Sequence, residues 1–207
     1  MYQYPGGQMM HFPDFSQKQG EHALILGQSG SGKTSLLHLI GGLLRPASGR
    51  IWLLGEDWTG MRGSQKDRFR GRHIGFVFQT PHFIPSLSVF ENLSMAAHLA
   101  GKRVESEWIE HLLGTLGIAE KADRGVNRLS IGEQQRVAIA RALVNKPELV
   151  LADEPSSALD DESCERVVGL LESCAAESGS SLLIVTHDNR LKGRYSKELV
   201  LEKQMAV

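Results

Sequence analysis

Short continuous apolar runs alternate with amphipathic stretches along this chain, and that rhythm points to a layered α/β architecture. Ala23-Leu24-Ile25-Leu26 is an apolar run that stops at a glycine-rich turn, after which Ser35 to Leu44 reads as a helix. Strand, glycine turn and helix in that order open an α/β unit. Gly49 to Gly55 and Ile74 to Phe78 read as further strands. Leu149-Val150-Leu151-Ala152 reads as a buried strand, and Leu182 to Val185 and Leu199 to Leu201 as the last two. Continuous apolar runs of this kind indicate a mainly parallel sheet covered on both faces.

From Pro81 to about Gly125 the pattern is helical instead. Ser88-Val89-Phe90-Glu91 has the form of a capping box that starts a helix. Gly101, which tolerates a left-handed turn, is placed to end it. A second helix carries Val104, Trp108, Leu112 and Leu116 on one face and ends near Gly117. Gly132 to Asn145 and a segment from about Asp161 read as later helices, the second with acidic residues in its first turn. The chain is therefore expected to be a single domain over 1–207, with a helical lobe at 81–125 inserted into the sheet.

Composition narrows the classes. The 207 residues include 23 Lys and Arg against 24 Asp and Glu, for a formal net charge of -1. That balance gives no basic field, so general nucleic-acid binding is not expected. The cluster Arg68, Arg70, Arg72 reads as a solvated lead-in to the next strand. The longest apolar runs are strand-sized, well short of the ~20 residues that span a bilayer. Met1 to Phe12 has neither Lys nor Arg nor an apolar core, so it does not read as a secretory signal. Cys164 and Cys174 fall on one predicted helix without metal-ligand spacing, which fits a reduced, cytoplasmic chain. The eight histidines are scattered, and no metal site is expected from them.

Gly27-Gln28-Ser29-Gly30-Ser31-Gly32-Lys33-Thr34 fits G-x-x-x-x-G-K-[ST], with Ser35 following. Small residues let successive backbone N–H groups curl around a polyphosphate, and the next helix aims its positive end at the same place. Lys33 is placed to reach the β- and γ-phosphates and the Thr34 hydroxyl to ligate Mg²⁺. The strand before the motif and the helix after it are the context it requires. Leu149-Val150-Leu151-Ala152 ends in Asp153-Glu154. In a P-loop fold such an Asp153 holds Mg²⁺, and Glu154 is placed to orient or deprotonate an attacking water.

Leu129-Ser130-Ile131-Gly132-Glu133, running into Gln134 to Leu143, resembles the signature sequence of ABC ATPases. Ser130, the amides through Gly132 and the helix dipole all favour an anion. The resemblance implies a head-to-tail dimer in which each signature closes on the partner's ATP. It implies further roles residue by residue. Gln79, ending Gly75-Phe76-Val77-Phe78-Gln79, matches the Q-loop glutamine that contacts Mg²⁺ and water. Ser157-Ala158-Leu159-Asp160 matches the D-loop, which crosses the dimer interface. His187 matches the switch histidine that contacts the γ-phosphate. Tyr4 is the counterpart of the aromatic that stacks on adenine. The fold so implied is α/β: a P-loop NTPase core with a mainly parallel sheet, a small antiparallel β-subdomain and an inserted helical lobe.

Three departures from the family pattern stand out. Ile131 replaces the central signature glycine, Glu133 stands where Gln is commonest, and little of the strand normally before Tyr4 is present. The interval between P-loop and signature has no room for the coiled-coil arms of DNA-acting ABC ATPases. A single ATPase unit also differs from the paired units of the translation-associated class. A transport subunit fits best: a homodimer, or a heterodimer with a second ABC ATPase, bound to a separate integral membrane permease on the inner face of the cell membrane. Ile74 to Gln79 followed by Pro81 to Asn92 resembles the branch that includes lipoprotein-releasing and macrolide-export ATPases. A relative in that branch that regulates cell-wall cleavage at division is the alternative function.

Overall fold

The apolar runs become the strands of one sheet. The computed structural model describes residues 1–7, 9–156 and 159–203. Its strands are β1 (Tyr2–Gln3), β2 (Met9–Met10), β3 (His22–Gly27), β4 (Trp52–Leu53), β5 (Glu56–Asp57), β6 (Ile74–Val77), β7 (Leu149–Asp153), β8 (Ser181–Thr186) and β9 (Lys197–Leu201). Five of them form the central sheet in the order β6-β7-β8-β3-β9, and every pairing in it is parallel.

The two-residue period of a strand divides the inner strands between two cores. Leu24, Leu26, Val150, Ala152, Leu182 and Ile184 face one apolar cluster. Ala23, Ile25, Leu149, Leu151, Leu183 and Val185 face the other. The helix α1 (Lys33–Ile40) covers the second cluster through Leu36 and Leu37, joined by Trp58. The first cluster is covered by α3 (Val89–Leu99), α4 (Ser106–Thr115), α5 (Ile131–Leu143) and α6 (Asp161–Glu177). Double coverage is why no polar alternation was visible in these strands.

The local signals for helix ends are realised. Ser88 Oγ accepts from the Glu91 amide at 3.2 Å, and Glu91 accepts from the Ser88 amide at 2.8 Å. Gly101 and Gly117 adopt φ of 66° and 65° just past α3 and α4. Cys164 and Cys174 both lie on α6, buried and unbridged. No helix among the described residues is long and apolar enough to cross a membrane.

The segment with Arg68, Arg70 and Arg72 does lead into the next strand, and it does so as a helix, α2 (Gly63–His73), that runs directly into β6. One expectation needs correction. The strand expected over Gly49 to Gly55 shrinks to Trp52–Leu53, paired antiparallel with β5. The small antiparallel part is thus two separate ladders, β1-β2 and β4-β5. Between the second ladder and residues 12–19 a cleft of about 880 Å³ opens, lined by Phe12, Phe15, Ile51, Trp52 and Leu183 among others.

Gly75 sets how closely α5 approaches the sheet: a Cβ there would lie 2.1 Å from the Ala142 carbonyl oxygen. Backbone cannot yield as a flexible side chain does, so Gly75→Ala should destabilise the protein by about 1–3 kcal/mol, the usual cost of overpacking. Urea denaturation checks this, and an unchanged midpoint would show that α5 is free to shift.

Candidate active site

Four parallel strands end at one edge of the sheet: β3 at Gly27, β6 at Val77, β7 at Asp153 and β8 at Thr186. In open α/β sheets this carboxyl edge is where ligands bind, because the loops gather there. Between β3 and α1 the chain turns through Gln28, Ser29, Gly30, Ser31 and Gly32. Gly30 and Gly32 have φ of 80° and 89°, a region that glycine enters at no steric cost. Gly32 is packed closely against β2, since a Cβ there would lie 2.0 Å from Met10 Sδ. Gln28, Ser29 and Gly30 form an exposed rim, while Ser31 is buried beneath them. The first turn of α1 has no acidic residue and no side-chain cap. Its free N–H groups and positive dipole end therefore favour phosphate oxygens.

Lys33 is the first residue of α1, and its ammonium is buried at the centre of this turn. Nζ donates to the carbonyls of Gly27 (2.8 Å) and Gln28 (3.1 Å) and lies 3.6 Å from Glu154 Oε1. Thr34, on the next position, donates its hydroxyl to Asp153 Oδ1 at 3.1 Å. Burial pushes the Asp153 carboxyl above its ordinary range, partly offset by the Thr34 hydrogen bond.

Glu154 is only 8% exposed and has φ of 48°, a left-handed conformation uncommon for a residue with a side chain. Its amide donates to Val185 O at 2.9 Å. Its carboxylate accepts from Thr186 Oγ1 at 2.7 Å and from the His187 amide at 3.1 Å, and lies 2.8 Å from His187 Nδ1. Lys33, Glu154 and His187 are thereby brought into one contact network, with the Thr34–Asp153 pair beside it through the adjacent chain positions. Thr186 is a member of that network that sequence reasoning passed over. Asp188 was passed over too: Arg190 holds its carboxyl well below the usual carboxylate range, and it accepts from Ser156 Oγ at 3.0 Å.

The other expected site residues are placed with less direct contact. Gln79 is exposed, two residues beyond Val77, whose register partner Ala152 stands two before Glu154. It therefore lies at the same edge. The Tyr4 hydroxyl hydrogen-bonds the Ser35 hydroxyl, and its ring meets Tyr2 edge-on at 4.8 Å. That packs the N-terminal ladder against the start of α1. Ser130 caps α5 by accepting from the Glu133 amide at 3.3 Å. Glu133 returns the contact to the Ser130 amide at 2.7 Å and pairs with Lys121 at 3.1 Å. These donors lower the Glu133 carboxyl to about 2, the Ser130 amide contributing most. Ser130, Ile131 and Gly132 are exposed, on a helix that covers the sheet face opposite α1. Asp160 is occupied locally as the cap of α6, accepting from the Ser163 amide at 2.8 Å. Ser157 and Ala158 of the D-loop match lie outside the described residues.

A divalent cation of the Mg²⁺ type fits the donors present. Thr34 and Asp153 offer a hydroxyl and a buried carboxylate, both hard oxygen ligands. Among the described residues no group of three or more His, Cys, Asp or Glu forms a metal cage. A cation of this kind takes few protein ligands and completes its shell with water and substrate phosphate.

The family described as ABC transporter matches residues 11–157. The lipoprotein-releasing system ATP-binding protein LolD of Shewanella denitrificans is 40% identical over 194 residues, spanning 93% of this chain and 83% of the relative. Among solved structures, the dimeric structure of MJ0796, a bacterial ABC transporter cassette, aligns with a TM-score of 0.82 at 32% identity, covering 91% of this chain and 84% of that one. The dimeric post-hydrolysis state of the MJ0796 cassette bound to ADP and Pi also aligns at a TM-score of 0.82 and 32% identity, covering 93% and 87%.

Asp153 generates a stability prediction. An acid whose folded-state pKa is raised binds its proton more tightly when folded, so stability falls as pH rises from the unfolded value through the folded one. At neutral pH the buried charge is a cost, and Asp153→Asn should raise the melting temperature of the nucleotide-free protein. The gain should vanish below the unfolded carboxylate pKa of about 3.9. A lower melting temperature at pH 7 in the variant would contradict this reading.

Proposed function

The chain belongs to the ABC transporter family, and from that premise we propose how its site binds and hydrolyses ATP to drive a membrane partner. The observation that carries the proposal is the Lys33–Glu154–His187 network with the adjoining Thr34–Asp153 pair at the carboxyl edge of the sheet. The loop from Gly27 to Gly32 wraps the polyphosphate with its N–H groups, and Ser35 continues the helix start behind it. Lys33, at the centre of the turn, supplies the cation for the β- and γ-phosphates. Thr34, Asp153 and Gln79 are the residues that would hold Mg²⁺, which would neutralise phosphate charge when bound. Glu154 orients the attacking water and accepts its proton, while His187 positions Glu154 through Nδ1 and faces the γ-phosphate. Tyr4, beside Ser35, stacks on the adenine. Catalysis of this type is positioning and charge stabilisation, with no covalent step.

Two copies close on ATP in this reading. Ser130 and Gly132 at the start of α5, together with Asp160 and the D-loop, meet the nucleotide held by the partner. An exposed, well-capped helix start on the sheet face opposite α1 supports this, because one protomer has no use for it on its own nucleotide. Residues 81–125, with Gln79 at their entrance, pass the closure to an integral membrane permease at the inner face of the membrane. Identity of 40% to a lipoprotein-releasing system protein supports lipoprotein release as the work done.

Lys33→Ala should lower ATP turnover by about 100-fold or more, the scale for losing one preorganised electrostatic group. Glu154→Gln should bind ATP yet hydrolyse it about 10²–10⁴ times more slowly, as expected for loss of a general base. It should also accumulate as a dimer in gel filtration with Mg·ATP. A variant that stays monomeric while wild type dimerises would refute the base assignment. Affinity capture of tagged Glu154→Gln from solubilised membranes then reads the partner. A permease with a large periplasmic domain supports the transport reading. Recovery of a cell-wall-cleavage regulator instead would move the protein to that function.

A further inference from the structure

At the end of α1 opposite the nucleotide loop, a groove of about 320 Å³ lies between the turn after α1 and one face of α2. Gly63, Lys66 and Arg70 line it from α2, at the three- and four-residue spacing of a single helix face. The turn adds Gly42 and Arg45. Three cations thus share the groove with one carboxylate, Asp67, which is already paired with Arg70 at 2.7 Å.

Lys66 makes this more than a basic patch. It is only 8% exposed, yet among the described residues its ammonium forms no hydrogen bond and no ion pair. The ring of Trp58 lies 5.2 Å away at its centroid, and Asp67, already paired with Arg70, is the one carboxylate whose field acts on it. Holding a mostly buried lysine without a bonded counter-ion is expensive, and burial together with Arg45 and Arg70, opposed only by Asp67, pushes its pKa down. The backbone makes room for it: Gly42 has φ of 66°, and a Cβ there would lie 2.8 Å from Lys66 Cε. The α2 start adds the same sign of field. Its N-cap, Arg62, makes no side-chain cap, and the first turn has no acidic residue, so its N–H groups are left for an outside acceptor.

We propose that this groove is an anion site that takes a phosphate group, free in solution or on a phospholipid headgroup, between Lys66, Arg45, Arg70 and the start of α2. A volume of 320 Å³ accommodates that group with several waters at about 30 Å³ each. The site is separate from the P-loop and does not rest on the reading of the nucleotide site.

The test uses the whole chain loaded with a non-hydrolysable ATP analogue, which fills the P-loop, and titrates it with inorganic phosphate by calorimetry. Saturable binding is expected, weakened about tenfold in Lys66→Gln and in Arg45→Gln, as for loss of a charge-assisted hydrogen bond. Arg45 is exposed, so its variant keeps the test valid should Lys66→Gln fail to fold. A parallel flotation assay compares phosphatidylglycerol-containing vesicles with pure phosphatidylcholine vesicles. Vesicle binding that requires Lys66 and is competed by phosphate assigns the lipid headgroup. Phosphate binding without vesicle binding assigns the free anion. Phosphate and vesicle binding that are both absent, or equally strong in wild type and both variants, would overturn the proposal.

Discussion

The site depends on one backbone constraint: Glu154 is held in the left-handed region immediately after β7. A residue with a side chain pays of order 1–2 kcal/mol for that conformation, and it persists because the surroundings over-determine it. The Glu154 amide is fixed to Val185 on the adjacent strand, and its carboxylate is fixed by Thr186 and His187 at the end of that strand. Were residue 154 to continue β7 in extended form, its side chain would follow the strand's alternation instead of turning toward Lys33. The turn is what sets Asp153 and Glu154, neighbours in sequence, to different partners. Asp153 contacts Thr34 on one side, and Glu154 contacts Lys33 and His187 on the other.

This arrangement concentrates charge where water is scarce. Lys33, Asp153 and Glu154 are each less than a tenth exposed, and two negative charges face one positive one. A protein optimised for stability alone would replace them with apolar groups, because desolvation can exceed what the pairing returns. Their burial fits a site that a ligand completes. A polyphosphate with its divalent cation brings both signs at once, and positioned donors act more strongly where the dielectric is low. The close packing of the sheet, with Gly75 against Ala142 and the helices on both faces, gives these charges a rigid platform.

How much of this was legible in the sequence follows from how each feature is encoded. The loop from Gly27 to Thr34 is contiguous, so its spacing along the chain is its spacing in space, and the same holds for the Ser88–Glu91 box. The Thr186–Glu154 hydrogen bond joins residues 32 apart and exists only because β7 lies beside β8. Strand order is not written in periodicity, so Thr186 and Asp188 went unnoticed although both flank His187. The helix α2 was missed for another reason. Gly63 to His73 contains one large apolar residue, Phe69, and two glycines, so it carries almost no helical stripe. It is tied down instead by Phe69 stacked on Trp58 at 5.6 Å and by Lys66 over the same ring. Neither contact can be read without knowing where Trp58 goes.

The isoleucine in the signature shows how a departure from a family pattern can be read physically. Glycine is demanded by the backbone only where φ is positive or where a Cβ would collide. Ile131 is not among the residues of positive φ, and its side chain is 81% exposed. Gly132, beside it, has open space around a Cβ. The helix start they belong to is fully served without glycine: Ser130 and Glu133 satisfy each other's amides, and Lys121 anchors Glu133. Within one protomer, then, nothing requires a small residue at 131, and replacing glycine there leaves the amide that an anion would use. In the dimer proposed above, any demand for a small residue at 131 comes from the surface that meets this helix start. Ile131 is exposed there, so the proposed dimer has to accommodate a large apolar side chain at that point. Residue 131 is therefore where this chain departs from the family pattern on the face assigned to the proposed dimer, while the helix start within the protomer keeps its capping box.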